Sequence, residues 1–333
     1  RIQPRDRQHP GGNHSRSGRF IVEFVLRKLL HGVFLILGVT FISFLLMVWF
    51  GPDQTYTLIG KNATAEQIAE VRHQLGYDRP FMARYLDYLG DLATLDLGAS
   101  NASGEPVSRM LARTVPVTLA LMLPGFILGN LLGVLLGLTA ASRRGQWSDR
   151  LITGFSVTGM SISFLVIIIV FQVLLSTPFG LDFFPVRGWQ VSSLSSYLYF
   201  VTVPTLALVF VTLGYNTRFY RAVFVEESGK DHIQAARAFG TSRSAILWKH
   251  VLKNSLVPII TRIMFSIPLV VVSGSLLIES YFGIPGFGKI TFDAITSGDQ
   301  PVLKAVVGLT AASFVVIQVI TEMLYHLLDP RVQ

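Results

Sequence analysis

Apolar residues gather into long runs over 29–50, 115–140, 151–176, 198–213, 257–277 and 305–328, with polar and basic stretches between them. Most of these runs approach the roughly 20 residues that a helix needs to cross a bilayer. The pattern therefore predicts an all-α, polytopic membrane protein with six transmembrane helices. The first run is longer than the 7–15 residues of a signal-peptide core and lacks a small-residue cleavage site. Residues 1–28 precede it as an expected cytosolic tail. Residues 1–19 are rich in Pro, Gly, Ser and Arg, with little to bury, and are expected to be disordered.

Between the first two runs, residues 51–114 have helical signals of their own. Thr64-Ala65-Glu66-Gln67 reads as a capping box, Ile68, Val71 and Leu75 form an apolar stripe, and Gly76 suits the helix end. A second helix is expected from Pro80, burying Tyr85, Leu89 and Leu92, and the pair would form an outer cap. The remaining residues, 115–333, hold the other five spans as one core domain.

The longest polar stretch of that core is 228–258. Asp231 is expected to cap a short helix through Ala238, kept thin by Ala235, Ala236 and Ala238, and Gly240 fits the left-handed residue that ends it. Thr241 or Ser242 would cap a second helix with an apolar stripe of Ile246, Leu247, Val251 and Leu252, and with Arg243, Lys249 and Lys253 on the wet side. A thin helix held between two membrane anchors is shaped as a handle for a cytosolic partner. The competing reading is an ordinary solvated loop.

Composition agrees with a membrane protein: 51% of the 333 residues are hydrophobic and only 14% are charged. The net charge of +8 does not point to nucleic acid, because the basic residues sit in loops between apolar runs without interleaved aromatics. Arg27, Lys28, Arg143, Arg144, Arg150 and the 218–253 segment fall on one side, which the positive-inside rule makes cytoplasmic, with both termini. There is no Cys, so disulfides and thiolate metal sites are excluded. Ser100 and Ser244 then fall on opposite faces, and both are expected to be open to labelling.

Within the spans, Gly125, Gly129, Gly133 and Gly137 recur every four residues and mark a helix-packing face. Thr158, Ser161 and Ser163 are candidates for pore lining, against the alternative that their own backbone satisfies them. Arg262 and Glu322 lie near enough to the inner surface to snorkel. Glu279, just after Ser273-Gly274-Ser275, is a candidate outer gate, against the alternative of an interfacial carboxylate in water. Gly283-Ile284-Pro285-Gly286-Phe287-Gly288-Lys289 fits the start of a phosphate-binding loop. Ile290 stands where Ser or Thr would hold magnesium, no nucleotide-binding sheet precedes it, and the segment lies outside, so it is rejected as an ATP site. No catalytic triad, metal-ligand spacing or paired intramembrane carboxylates appear, so no enzyme is expected.

Gln234-Ala235-Ala236-Arg237-Ala238-Phe239-Gly240, followed by His250-Val251-Leu252-Lys253-Asn254-Ser255-Leu256-Val257-Pro258, resembles the coupling-loop signature of ABC importer permeases of the dipeptide and oligopeptide group. The likeness extends to Leu75-Gly76-Tyr77-Asp78-Arg79-Pro80, Asp96-Leu97-Gly98-Ala99-Ser100, Ser275-Leu276-Leu277-Ile278-Glu279, Ile284-Pro285-Gly286-Phe287-Gly288 and Leu328-Asp329-Pro330-Arg331. Phe184-Pro185-Val186-Arg187-Gly188 and Ile246-Leu247-Trp248-Lys249-His250 are also similar to the branch importing microcin-like peptides. The chain departs from the family pattern in Gln234 where Glu is general, in a shortened Gly51-Pro52-Asp53 turn, and in Ile162 where Pro is common.

The resemblance implies a type I ABC importer permease fold. This chain and a homologous second permease would form the pore, with a periplasmic peptide-binding protein outside and two cytosolic ATPases inside. ATP and magnesium would be bound by those ATPases and no cofactor by this chain. Asp231, Gln234, Ala235, Ala236, Ala238, Phe239 and Gly240 would then couple to an ATPase. Thr158, Ser161, Ser273, Ser275 and Glu279 would line the pore or gate, and Phe184, Arg187, Trp189, Pro285 and Phe287 would meet the binding protein. An ion-coupled secondary transporter of small polar solutes is the alternative.

Overall fold

The computed structural model describes residues 14–51, 55, 59–60 and 63–328. Residues 1–13, Pro52-Asp53 and Asp329-Pro330-Arg331, which carried parts of the sequence reading, lie outside the described residues. No strand forms among the described residues; one isolated antiparallel bridge joins Ala99 to Pro106.

The first helix, α1, runs His14–Phe50 and so takes in the end of the segment expected as a disordered tail. Once the apolar part has formed a helix, each further residue adds a hydrogen bond without a new nucleus. Two shorter helices follow, α2 (Ala65–Gln74) and α3 (Phe81–Thr94). The capping box forms: Gln67 N–H bonds Thr64 Oγ1 at 3.3 Å, and Thr64 N–H bonds Gln67 Oε1 at 3.0 Å. At the other end Gly76 adopts φ +66°, and the N–H groups of Gly76 and Tyr77 close onto the carbonyls of His73 and Arg72. Helix α3 packs onto the body rather than standing off from it. Tyr85 and Tyr88 of α3 pack with Phe44 of α1, Tyr85 Oη donates to Leu37 O (2.9 Å), and Tyr88 Oη donates to Lys304 O (2.9 Å).

The core begins with α4 (Val107–Ser142), then α5 (Trp147–Ser161), α6 (Phe164–Ser176) and α7 (Leu194–Ser228). Helices α8 (Asp231–Ala238) and α9 (Arg243–Ala245) lead through a π-helical turn (Ile246–Leu252) into α10 (Leu256–Leu269). A second π-helical segment (Val270–Gly274), just after Pro268, joins α10 to α11 (Ser275–Phe282), and α12 (Phe287–Ser297) and α13 (Gln300–Leu328) follow.

Among the described residues five helical stretches are long and apolar enough to cross a membrane: Gly32–Phe50, Val107–Ser142, Leu194–Ser228, Leu256–Phe282 and Gln300–Tyr325. The expected third span is not one rod. Its halves, α5 and α6, meet at 103°. Ile162 (φ −90°, ψ 134°) and Ser163 (φ −57°, ψ 137°) are extended rather than helical. Just before the break, the hydroxyls of Ser156, Thr158 and Ser161 donate to the carbonyls of Ile152, Gly154 and Val157, sharing oxygens that the helix ladder uses. Hydropathy counts apolar residues and does not register a change of direction.

Helices α4 and α7 form the central seam. A Cβ on Gly125 would lie 2.8 Å from Leu208, one on Gly133 2.9 Å from Asn216, one on Gly137 3.0 Å from the backbone nitrogen of Arg221, and one on Gly129 against Thr212. All four glycines therefore face α7. On the other side of α7, Gly214 meets the backbone of α5 at Ser156 and Met160. Three apolar clusters lie along this frame. With the two ends named by the orientation expected from the sequence, one cluster, at the outer end, centres on Ile168, Ala207, Ile278 and Ile284; one, at the inner end, on Tyr220, Phe224, Ile233 and Val251; the third joins α4, α12 and α13.

Candidate functional site

At the inner end α8 is set on the body of the protein by one residue. Ile233 is fully buried among Tyr220, Phe224, Ile246 and Val251, and Ala236 packs beside it. Glu227, buried at the end of α7, pairs with Lys230 (2.5 Å) and His232 (3.2 Å) and fixes the start of the helix. Lys230 is the N-cap residue and makes no side-chain cap bond. Asp231 is therefore not the cap expected from sequence but the first helical residue, where its charge still favours the positive end of the helix dipole.

The opposite side of α8 is bare. Gln234, Ala235, Ala238, Phe239 and Gly240 are exposed, and Phe239 shows 90% of its surface. Gly240 sits at φ +78°, its N–H bonding Arg237 O (3.0 Å), while Thr241 N–H bonds Ala236 O (3.1 Å). This pair of bonds makes the left-handed helix end that glycine permits. Ser242, the second of the two expected caps, accepts from Ala245 N–H at 3.3 Å. Ile246 and Val251 are buried, Leu247 and Leu252 pack beside them, and Arg243, Lys249 and Lys253 point to solvent.

Two polar clusters brace this end and carry no local signal in the sequence. Asp149, almost fully buried, receives both Nε (2.6 Å) and Nη2 (2.8 Å) of Arg221 and the Gly145 N–H (2.9 Å), which ties α5 to α7. Asn130 Oδ1 accepts from Asn216 (3.0 Å) and Tyr220 Oη (2.6 Å) across the glycine seam. Nearby, an open groove of about 510 Å³ on α10 is lined by Val257, Pro258, Thr261, Phe265 and Leu269. Arg262 lines it too, stacked 5.5 Å over the Phe219 ring. This groove was missed from sequence because its lining reads as ordinary span.

At the outer end Glu279 is 0% exposed, which overturns both sequence readings of it. It faces neither water nor an open passage. Thr118 Oγ1 donates to it (2.5 Å), as do the backbone N–H groups of Lys289 (3.0 Å) and Gly288, and Thr118 Oγ1 in turn accepts the Phe287 N–H (2.7 Å). The resemblance of Gly283–Lys289 to a phosphate loop thus has a physical basis. The glycine turn at the start of α12 presents N–H groups to an acceptor, and the acceptor is the chain's own Glu279 carboxyl group. Gly286 and Gly288 leave no room for a side chain: a Cβ would strike the Glu279 carboxylate at the first and the Ser275 backbone at the second.

The other outer candidates divide. Ser275 is fully buried and bonds Val271 O, so it is withdrawn from the gate, whereas Ser273 is exposed. Thr158 and Ser161 are exposed, but their hydroxyls are used by the carbonyls four residues back (3.0 and 2.8 Å). Phe287 lies in the core with Val107 and Leu111 and offers no docking surface, a correction that follows from α12 folding back onto α4. Phe184 and Trp189 are half-buried against the outer cluster. Arg187 and Pro285 are exposed; Arg187 donates to Ser280 O (3.2 Å), and Gly188 N–H bonds Phe282 O (2.8 Å), bringing the two outer loops together.

Residues 133–333 match the family described as binding-protein-dependent transport system inner membrane component, and residues 21–122 match the N-terminal family of such membrane components. The chain is 33% identical over 319 residues to the dipeptide transport system permease protein DppB of Lactococcus lactis, covering 94% of this chain and all of that one. It is 30% identical to a putative peptide transport system permease of Brucella abortus, over 93% of this chain and 98% of the relative. It is also 30% identical to the glutathione transport system permease protein GsiC of Salmonella typhimurium, over 94% and 99%.

Proposed function

Because the chain belongs to the family of inner membrane components of binding-protein-dependent transport systems, we propose that it is one of two homologous pore subunits of an ATP-driven importer that carries peptides into the cytoplasm. Peptide cargo rests on the relatives named for dipeptide, peptide and glutathione transport. A periplasmic binding protein delivers the cargo, and two cytosolic ATPases bind ATP and magnesium. The ion-coupled alternative is not favoured by these relationships.

The observation that carries the proposal is α8: one face is locked into the core by Ile233, and the other presents Ala235, Ala238 and a 90% exposed Phe239. An apolar ring held in water by a rigid helix is suited to a cleft on a partner. ATP-driven closure of the ATPases would move α8, and the spans packed on it would rock together. Phe239→Asp leaves the chain's own packing untouched. Tagged parent protein should co-purify with its ATPases and the variant should lose most of them; equal recovery would sink the coupling role of this surface.

The proposed orientation places α8 in the cytoplasm and α2 and α3 outside, with both termini cytoplasmic. Ser100 proves unsuitable for labelling, because it is buried and bonds Asp299 at 2.5 Å. Ser103 and Ser244 are exposed. In this Cys-free chain, Ser103→Cys should react with an impermeant maleimide on intact cells, and Ser244→Cys only after permeabilisation. The reverse pattern would invert the topology.

A further inference from the structure

The bend in the third span leaves α6 too short for its position. Its 13 residues rise about 20 Å, against a hydrocarbon core of roughly 30 Å. It is nonetheless strongly apolar, with Val166, Val170, Val173 and Leu174 exposed along one stripe. Since α5 leaves at 103°, it does not lengthen α6 along the same axis. The apolar surface continues past the outer end of the helix instead, where Phe179, Leu181 and Phe183 are 95%, 55% and 65% exposed.

Part of the turn's backbone is tied back to the helix end: Gly180 N–H bonds Thr177 O (2.9 Å), Leu181 N–H bonds Leu174 O (2.8 Å), and the N–H groups of Phe183 and Phe184 bond Leu175 O (2.9 and 3.2 Å). These bonds use the carbonyls that the end of α6 would otherwise leave open. Pro178 has no N–H to satisfy. Asp182 takes φ +50° to reverse the chain, and Gly180 lies so close to Leu174 O that no Cβ fits. From residue 177 to residue 199 the only charged side chains are Asp182 and Arg187, and Arg187 is engaged with Ser280 O.

We propose that the 177–183 turn is a lipid anchor: a pinned apolar wedge that sits in the outer leaflet and completes the hydrophobic crossing begun by α6. Backbone that enters the apolar zone is costly unless hydrogen-bonded, and the bonds of Gly180, Leu181, Phe183 and Phe184 lower that cost here. Continuity with the stripe on α6 makes lipid the occupant. The wedge also explains how a half-length helix resists being drawn inward by mismatch. The inference rests on the chain being a membrane component and is independent of its cargo.

The test uses the full transporter in nanodiscs, with partner subunits free of Cys. Bimane is attached at Phe179→Cys, at Leu181→Cys, or at Ser103→Cys in the outer segment as reference, and the lipid is brominated either near the glycerol end or near the methyl end of the chain. Both turn positions should be quenched severalfold more than the reference, and more by bromine near the glycerol end. Quenching no greater than at the reference would overturn the proposal. So would shielding of the turn labels by added binding protein without lipid quenching, which would make the tip a protein-docking surface.

Discussion

Glu279 shows how a residue with a conspicuous charge can be a structural element rather than a working group. A buried carboxylate is tolerated only when hydrogen bonds replace its water shell, and here Thr118 together with the start of α12 supplies them. Glu279→Leu removes the acceptor and leaves buried N–H groups without a partner, each worth about 1–3 kcal/mol. Thermal unfolding of the purified protein should shift clearly downward, and Glu279→Gln, which keeps one acceptor oxygen, should fall between. A leucine variant as stable as the parent would remove Glu279 as the staple of the outer loop. Sequence gave the chemistry of these residues but not their partners: Glu279 meets Thr118 across 161 positions, and Asp149 meets Arg221 across 72. Signals confined to a few neighbours, such as the Thr64 capping box and the left-handed Gly240, were legible because the groups that satisfy each other sit within one turn.

Helices add a second level, at which spacing carries more than identity. The four-residue glycine period of α4 is readable because it creates a groove on whichever helix lies opposite; that the opposite helix is α7 is a tertiary fact. The positions are not equivalent. Gly137 faces the backbone nitrogen of Arg221 and the Cβ of Tyr220, neither of which can swing aside. Gly137→Leu should therefore force the helices apart at a cost of about 1–3 kcal/mol or more, and it should lower both the folded yield in detergent and the unfolding temperature. Gly154→Leu is the control, because nothing lies within 4 Å of a Cβ there. Equal losses in both variants would mean that bulk alone, not the seam, is responsible. The break at Ile162 was not read from the sequence, although Ser161 and Ser163 flank it and the family pattern often has Pro there, because the long hydrophobic stretch as a whole reads as one span and only the geometry of residues 162–163 turns it.

Across the whole molecule, α4 joins the two ends. It holds Glu279 through Thr118 near the outer face, and it reaches the cluster around Ile233 through Leu138 and Ala141 near the inner one. The separation from Thr118 to Leu138 is about 30 Å at helical rise. A displacement of α8 thus acts on a continuous rod rather than on a chain of loose contacts, as the proposed rocking requires. In the proposed coupling, the residue that would set how α8 meets its partner is Gly240. Space is not the constraint there, since nothing lies within 4 Å of a Cβ; the constraint is the left-handed φ of +78°. A β-branched side chain in that conformation costs about 1–2 kcal/mol, so Gly240→Val should open the turn and misplace Phe239. Gly240→Asn should be nearly silent, because asparagine adopts the left-handed region readily. In proteoliposomes holding the complete transporter, valine should depress binding-protein-stimulated ATP hydrolysis and peptide uptake together, while binding-protein affinity on the far side stays unchanged. Asparagine should retain most of both activities. If asparagine failed as badly as valine, absence of a side chain rather than backbone conformation would be what position 240 supplies. If both variants transported normally, α8 would not be the element through which the ATPases act.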